Sequence, residues 1–167
     1  MHVIFRESHS LDQADTPQDL RQTPADLVVL SLSDSDLGAF ASGWRRAKTT
    51  VGADMPSLRL ANLVALKHPL SVDTYIDNTL HAARGILIRL IGGVPYWPYG
   101  LQSVAALARE KGIALAILPA DGRQGTQLDE LSTLPPYTLQ RFGDLPAPSP
   151  SVASHPAPAP PALGALL

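Results

Sequence analysis

Two carboxylates stand two positions apart, Asp34 and Asp36, in the polar run "SLSDSD" that follows an apolar segment. Paired carboxylates can share acid–base work, and they can equally cap a helix and face its positive end. Residue preferences at helix starts favour the cap. Arg89 is embedded in the apolar string "GILIRLIG", where a guanidinium out of water needs a carboxylate or carbonyl partner. Asp34, Asp73 or a group outside the chain could supply it. Gly92 and Gly93 come next, and glycine lets backbone amides approach an anion closely. Their spacing is neither the dinucleotide fingerprint nor the phosphate loop, and no lysine follows, so a tight exit from a strand is the competing reading. "VPYWPYG" then brings Tyr96, Trp97 and Tyr99 within four positions. Such rings can stack on a planar ligand, or they can pack as a stiff joint or an interface. Pro95 and Pro98 hold Val94 and Trp97 out of helical geometry, which makes the loop stiff and extended.

Several chemistries are disfavoured at once. The chain has no cysteine, which removes disulfides, thiolate metal ligands and a thiol nucleophile. His2, His9, His68, His81 and His155 are scattered, with no close pair and no HExxH, so no metal ligand set is expected. No glycine-framed serine and no Ser-His-Asp order is visible, and no residue is assigned as catalytic. A net charge of −2 with dispersed basic residues gives no nucleic-acid footprint. No apolar run reaches the roughly 18 residues of a membrane helix. The opening "MHVIF" is too short in its apolar core for a signal peptide, and a cytoplasmic protein is expected.

The elements that must position these residues alternate along the chain. "HVIF" (2–5), 25–33, 57–63, 85–92 and 113–120 read as strands, and their apolar character throughout suits strands buried on both faces. Between them, 34–48 sets Leu37, Phe40, Ala41, Trp44 and Ala47 on one helical stripe. A second stripe is Val72, Tyr75, Ile76, Leu80 and Ala83, with Ser71 as its expected cap. A third, Leu101, Val104, Ala105 and Ala108, ends at a capping Gly112. Strand–helix alternation predicts an α/β fold: an open, mostly parallel, doubly wound, flavodoxin- or Rossmann-like sheet of about five strands. Ligands of such sheets sit beyond the carboxyl ends of the strands. That rim holds Ser31, Ser33, Asp34 and Asp36, then Asn62, the Gly92–Tyr99 loop and Asp121. From Leu145 to Pro161 seven of seventeen residues are proline, so the globular part is expected to span 1–134 and a disordered tail 135–167.

Four strings carry a resemblance: "PADLVVLSLSDSDLGAFASGWRRA" (24–47), "PSLRLANLVALKHPLSVDTYIDNT" (56–79), "RLIGGVPYWPYGLQSVAALAREKGIALAILPADGR" (89–123) and "LSTLP" (131–135). Together they resemble the N-terminal region of the aerobic cobaltochelatase large subunit, the CobN family, which is related to the magnesium chelatase H subunit. The resemblance implies ATP-dependent insertion of cobalt into hydrogenobyrinic acid a,c-diamide in cobalamin biosynthesis. It also implies partners: the remainder of the large subunit, and AAA+ subunits that use Mg-ATP. The family's insertion site lies mainly in segments this chain does not contain, so the resemblance implies no catalytic residue here. After "LSTLP" the family continues as folded helical chain. Here the sequence turns Pro/Ala/Ser-rich, as an out-of-frame reading of a GC-rich gene would, which implies a truncated subunit with a non-native tail from about Pro136. Two other readings stand beside it: a stand-alone α/β scaffold that binds a tetrapyrrole or a subunit, and a flavodoxin-like binder of a small ligand. For each, Arg89, Gly92, Gly93, Tyr96, Trp97, Tyr99, Asp34 and Asn62 are the candidate ligand or interface residues.

Overall fold

The computed structural model describes residues 16–121 and 126–143. Within them four strands alternate with helices: β1 (Leu27–Ser31), α1 (Asp34–Val51), β2 (Leu58–Asn62), α2 (Pro69–Asn78), β3 (Gly85–Leu90), α3 (Pro98–Lys111), β4 (Ala114–Pro119), α4 (Thr126–Leu131) and α5 (Pro136–Gly143). The strand expected at His2–Phe5 lies outside the described residues, so the described sheet has four strands rather than about five.

All pairings are parallel, in the order β2-β1-β3-β4. The chain steps from β1 to one side to make β2, then crosses back to β3 and on to β4. Right-handed crossovers therefore put α1 on one face and α2 and α3 on the other. This is a doubly wound α/β sheet whose direction of winding reverses between β1 and β3.

The two faces are unequally filled. Toward α2 and α3, Val28, Leu30, Ile86, Ile88, Leu90, Leu115 and Ile117 are at most 2% exposed and meet Val72, Leu101, Val104 and Ala105. Each large apolar side chain buried this way contributes about 1.5–3 kcal/mol. On the other face Leu27, Leu87 and Leu118 are half-buried, and no residue of α1 is fully buried. The predicted α1 stripe is real in direction, but a single helix laid on two strands leaves it partly wet. The Trp44 indole N–H fixes that helix by donating to the Pro56 carbonyl at 2.9 Å. Helix α5 packs on β4 with Leu139 buried, so packed structure continues past Leu134, where the composition suggested it would end.

Helix α2 starts differently from expectation. His68, not Ser71, is its cap: the His68 imidazole Nδ1 accepts the Leu70 N–H at 3.1 Å, and Pro69 occupies the first helical position with φ already set. Ser71 is buried one turn in, where its hydroxyl oxygen accepts the Gln18 N–H at 2.7 Å.

Both sheet edges carry side-chain caps. Along β4, the Leu115 N–H donates to Thr133 Oγ1 and the Ile117 N–H to Ser132 Oγ, while the Thr133 N–H donates to the Leu115 carbonyl. The string "LSTLP" is thus an edge guard. Along β2, the Arg59 guanidinium donates to the Leu58 carbonyl and the Gln22 amide to the Leu60 carbonyl. Side chains that occupy edge groups in this way discourage strand addition.

Gln22 does more than guard an edge. Its Oε1 accepts the hydroxyl of buried Tyr75 at 2.7 Å, and its backbone carbonyl accepts the hydroxyl of buried Thr79 at 2.7 Å. The segment before β1 is therefore stitched to β2 and α2 together. Replacing Gln22 by Ala strands the Tyr75 hydroxyl and should cost about 1–3 kcal/mol. Urea unfolding checks this: the midpoint should fall with its slope unchanged.

Candidate functional site

The winding reversal between β1 and β3 sets where the rim residues meet. Ser31 and Arg89 are register partners, and α1 begins just beyond Ser31. Ser33 caps α1, its hydroxyl accepting the Asp36 N–H at 3.3 Å, and this turns the Asp36 carboxylate back over the strand ends. There Asp36 Oδ2 accepts the hydroxyl of buried Ser31 at 3.1 Å, and Oδ1 lies 3.4 Å from Arg89 Nη1. The Ser31 oxygen in turn accepts the Ser33 N–H. The partner of Arg89 is thus Asp36, neither Asp34 nor Asp73, because the register places the guanidinium under the first turn of α1. The two side chains are 31% and 22% exposed, so water screens the pair, which contributes at most about 1 kcal/mol.

Asp34 and Asn62 form a second link. The Asn62 amide donates to Asp34 Oδ1 at 2.8 Å, and its Oδ1 accepts the Val64 N–H, capping the short helical turn Leu63–Leu66. Every one of these polar groups has a structural partner. Neither carboxylate caps α1, whose cap is Ser33; both stand in its first turn and reach out of the helix, Asp34 to Asn62 and Asp36 to Ser31 and Arg89.

Gly92 and Gly93 have φ of 85° and 72°, in the left-handed region that glycine tolerates, and they turn the chain sharply out of β3. The Gly93 carbonyl then accepts the Tyr96 N–H, closing a short turn at Val94–Tyr96. The three aromatics beyond it separate. Trp97 is 5% exposed, belongs to the main core and donates its indole N–H to the Leu66 carbonyl at 2.8 Å. Tyr99 is exposed, with its hydroxyl donating to Asp73 Oδ1 at 2.7 Å. That hydrogen bond, foremost, raises the Tyr99 phenol above its ordinary value. Tyr96 lies exposed beside Gly92. A stacking platform centred on Trp97 is therefore not what the loop presents, since its largest ring is core.

No cluster of metal-ligating side chains occurs among the described residues. Two shallow, open hollows among the described residues, of about 470 and 580 Å³, lie away from the rim. One runs between α2 and α3 past Ile76, His81 and Leu107, and the other lies beside β4 past Arg109 and Thr133. Sequence reasoning missed the apolar side chains that do face outward at the rim: Val64, Leu70 and Ile91, each about half exposed. Aliphatic residues inside apolar runs read as core, and only the turn geometry shows them outside.

Together the fold and rim define an open, doubly wound parallel α/β domain of flavodoxin-like strand order, its carboxyl rim locked by its own side chains. No protein-family model matches the chain. Among curated proteins it is 39% identical over 142 residues to the aerobic cobaltochelatase subunit CobN of Pseudomonas aeruginosa. It is 34% identical over the same length to the CobN subunit of a Sinorhizobium species. Each match covers 85% of this chain and 11% of the relative. A solved structure, the catalytic subunit of cobaltochelatase from Mycobacterium tuberculosis, superposes with a TM-score of 0.48 at 22% identity, over 70% of this chain and 8% of that one, too loosely to add weight. The chain belongs to the CobN family of aerobic cobaltochelatase subunits, as the four strings implied, and it spans 11% of the length of those relatives. Because 142 residues match, the similarity runs past Leu134.

The separation of the aromatics is testable by unfolding. Trp97→Ala should cost about 3–5 kcal/mol, as for an aromatic removed from a core. Tyr96→Ala should stay within about 0.5 kcal/mol. Equal, small effects would return Trp97 to the surface.

Proposed function

We propose that this chain is the N-terminal head domain of an aerobic cobaltochelatase large subunit, and that it acts in the assembled enzyme without supplying a reacting group. The observation that carries this is the match over 142 residues at 39% identity. The rim supports the non-catalytic part of the reading, since Asp34, Asp36, Asn62 and Arg89 are engaged with one another or with backbone. In this reading the reaction is ATP-dependent insertion of cobalt, the metal being a substrate, into hydrogenobyrinic acid a,c-diamide. The tetrapyrrole and cobalt are held by the remainder of the large subunit, and Mg-ATP is used by partner subunits of the AAA+ type. No helix among the described residues is long and apolar enough to cross a membrane, which suits the cytoplasmic setting of this proposal.

A segment exchange tests it. Residues 16–143 replace the matching segment of the Pseudomonas aeruginosa subunit, and cobalt insertion is followed by the change in corrin absorbance with the partner subunits present. The exchanged subunit should insert cobalt, the subunit lacking the segment should not, and this chain alone should not. Insertion by the subunit without the segment, or by this chain alone, would overturn the reading.

A further inference from the structure

Building on the large-subunit reading, we propose that the carboxyl rim of the sheet is the seat of the remainder of the large subunit, contacted through Val64, Leu70, Ile91, Tyr96 and Tyr99. Among the described residues, large apolar side chains are strongly exposed at seven positions, and these five, at 44–55%, all belong to the rim. The other two, Val51 and Tyr137, stand apart at the end of α1 and on α5. Val64 follows β2, Leu70 opens α2, Ile91 follows β3, Tyr96 ends the next turn and Tyr99 opens α3.

The five are presented on a fixed support. The Trp97 indole ties the β3–α3 loop to the β2–α2 loop through Leu66, and the Tyr99 hydroxyl ties α3 to α2 through Asp73. A patch held this way loses little conformational entropy on docking. Ser31, Asp34, Asp36 and Asn62 beside it already have partners within the domain, which lowers the polar cost of covering the surface. Strand addition, the other common route for a sheet to gain a partner, is opposed at both edges by Gln22, Arg59, Ser132 and Thr133. The occupant follows from length. The chain spans 11% of its relatives, so most of the polypeptide that accompanies this fold in the family lies outside it. In those relatives that polypeptide is covalently continuous with the matching segment and hence present at high effective concentration.

Amide hydrogen exchange over residues 63–70 and 91–99 tests the proposal, comparing the exchanged Pseudomonas aeruginosa subunit with this chain alone. Exchange should be at least about tenfold slower in the large subunit. The double variant Ile91→Ser, Tyr96→Ser should restore the rates of the isolated chain. If that pair unfolds the domain, Tyr96→Ser alone gives the reading, since its ring is half exposed. Equal rates in both proteins would overturn the proposal. So would rim protection that grows with concentration in the isolated chain, which would make a second copy the occupant. An exchanged subunit that inserts cobalt with an unprotected rim would defeat this inference and leave the large-subunit reading standing. A protected rim without insertion would do the reverse.

Discussion

The hydrogen bond from the Trp97 indole to the Leu66 carbonyl is the constraint on which the rim depends. Leu66 closes the turn after β2 and Trp97 the turn after β3, with β1 between those strands in the sheet. One buried ring therefore bridges the place where the winding reverses, which in an open sheet is ordinarily a crevice. The string "GGVPYWPYG" works as a unit around it. Two glycines at positive φ turn the chain, two prolines stiffen it, and the indole drops into the core. Gly100 then leaves the room the ring needs, because a Cβ at that position would run into the indole. The loop is a joint that displays Tyr96 and Tyr99 and hides Trp97.

The polar side of the rim follows from the same geometry. The α1 cap brings Asp36 over Ser31 and Arg89, and Asn62 spans from β2 to Asp34. These contacts join the ends of three neighbouring strands. An arginine in a strand that is otherwise apolar is explained by the half-covered face it lies on: Arg89 shares that face with half-buried Leu87, while Ile86, Ile88 and Leu90 fill the other.

Much of this was legible in the sequence. The periods that placed α1 and α3 needed only the spacing of Leu37 to Ala47 and of Leu101 to Ala108, because a helix face on a sheet imposes its repeat on the chain. Strand order was not legible, since parallel strands with helical crossovers give the same local pattern in several orders. The α2 cap was misplaced because Ser71 has the better intrinsic preference, while His68 gains its role from Pro69 beside it. Asp34 and Asp73 were the candidate partners of Arg89 within the sequence, and the structure pairs it with Asp36 instead, as its pairing depends on register. The aromatics were read as one group. Separating them required knowing that the residue before α3 points inward, which no local signal reports. The family resemblance was carried by irregular strings such as "SLRLANL" and "HPLSVD", whose Asn62 and His68 prove to be turn and helix caps.

The most direct test of this account is the environment of Trp97. With Trp44→Phe, Trp97 is the sole indole in the chain, whose composition includes two tryptophans. Buried at 5% exposure and hydrogen-bonded to a carbonyl, it should emit at short wavelength and resist acrylamide quenching until the protein unfolds. Emission at the wavelength of a hydrated indole, with full quenching in the native protein, would contradict the central claim that the loop is a joint built around a buried ring.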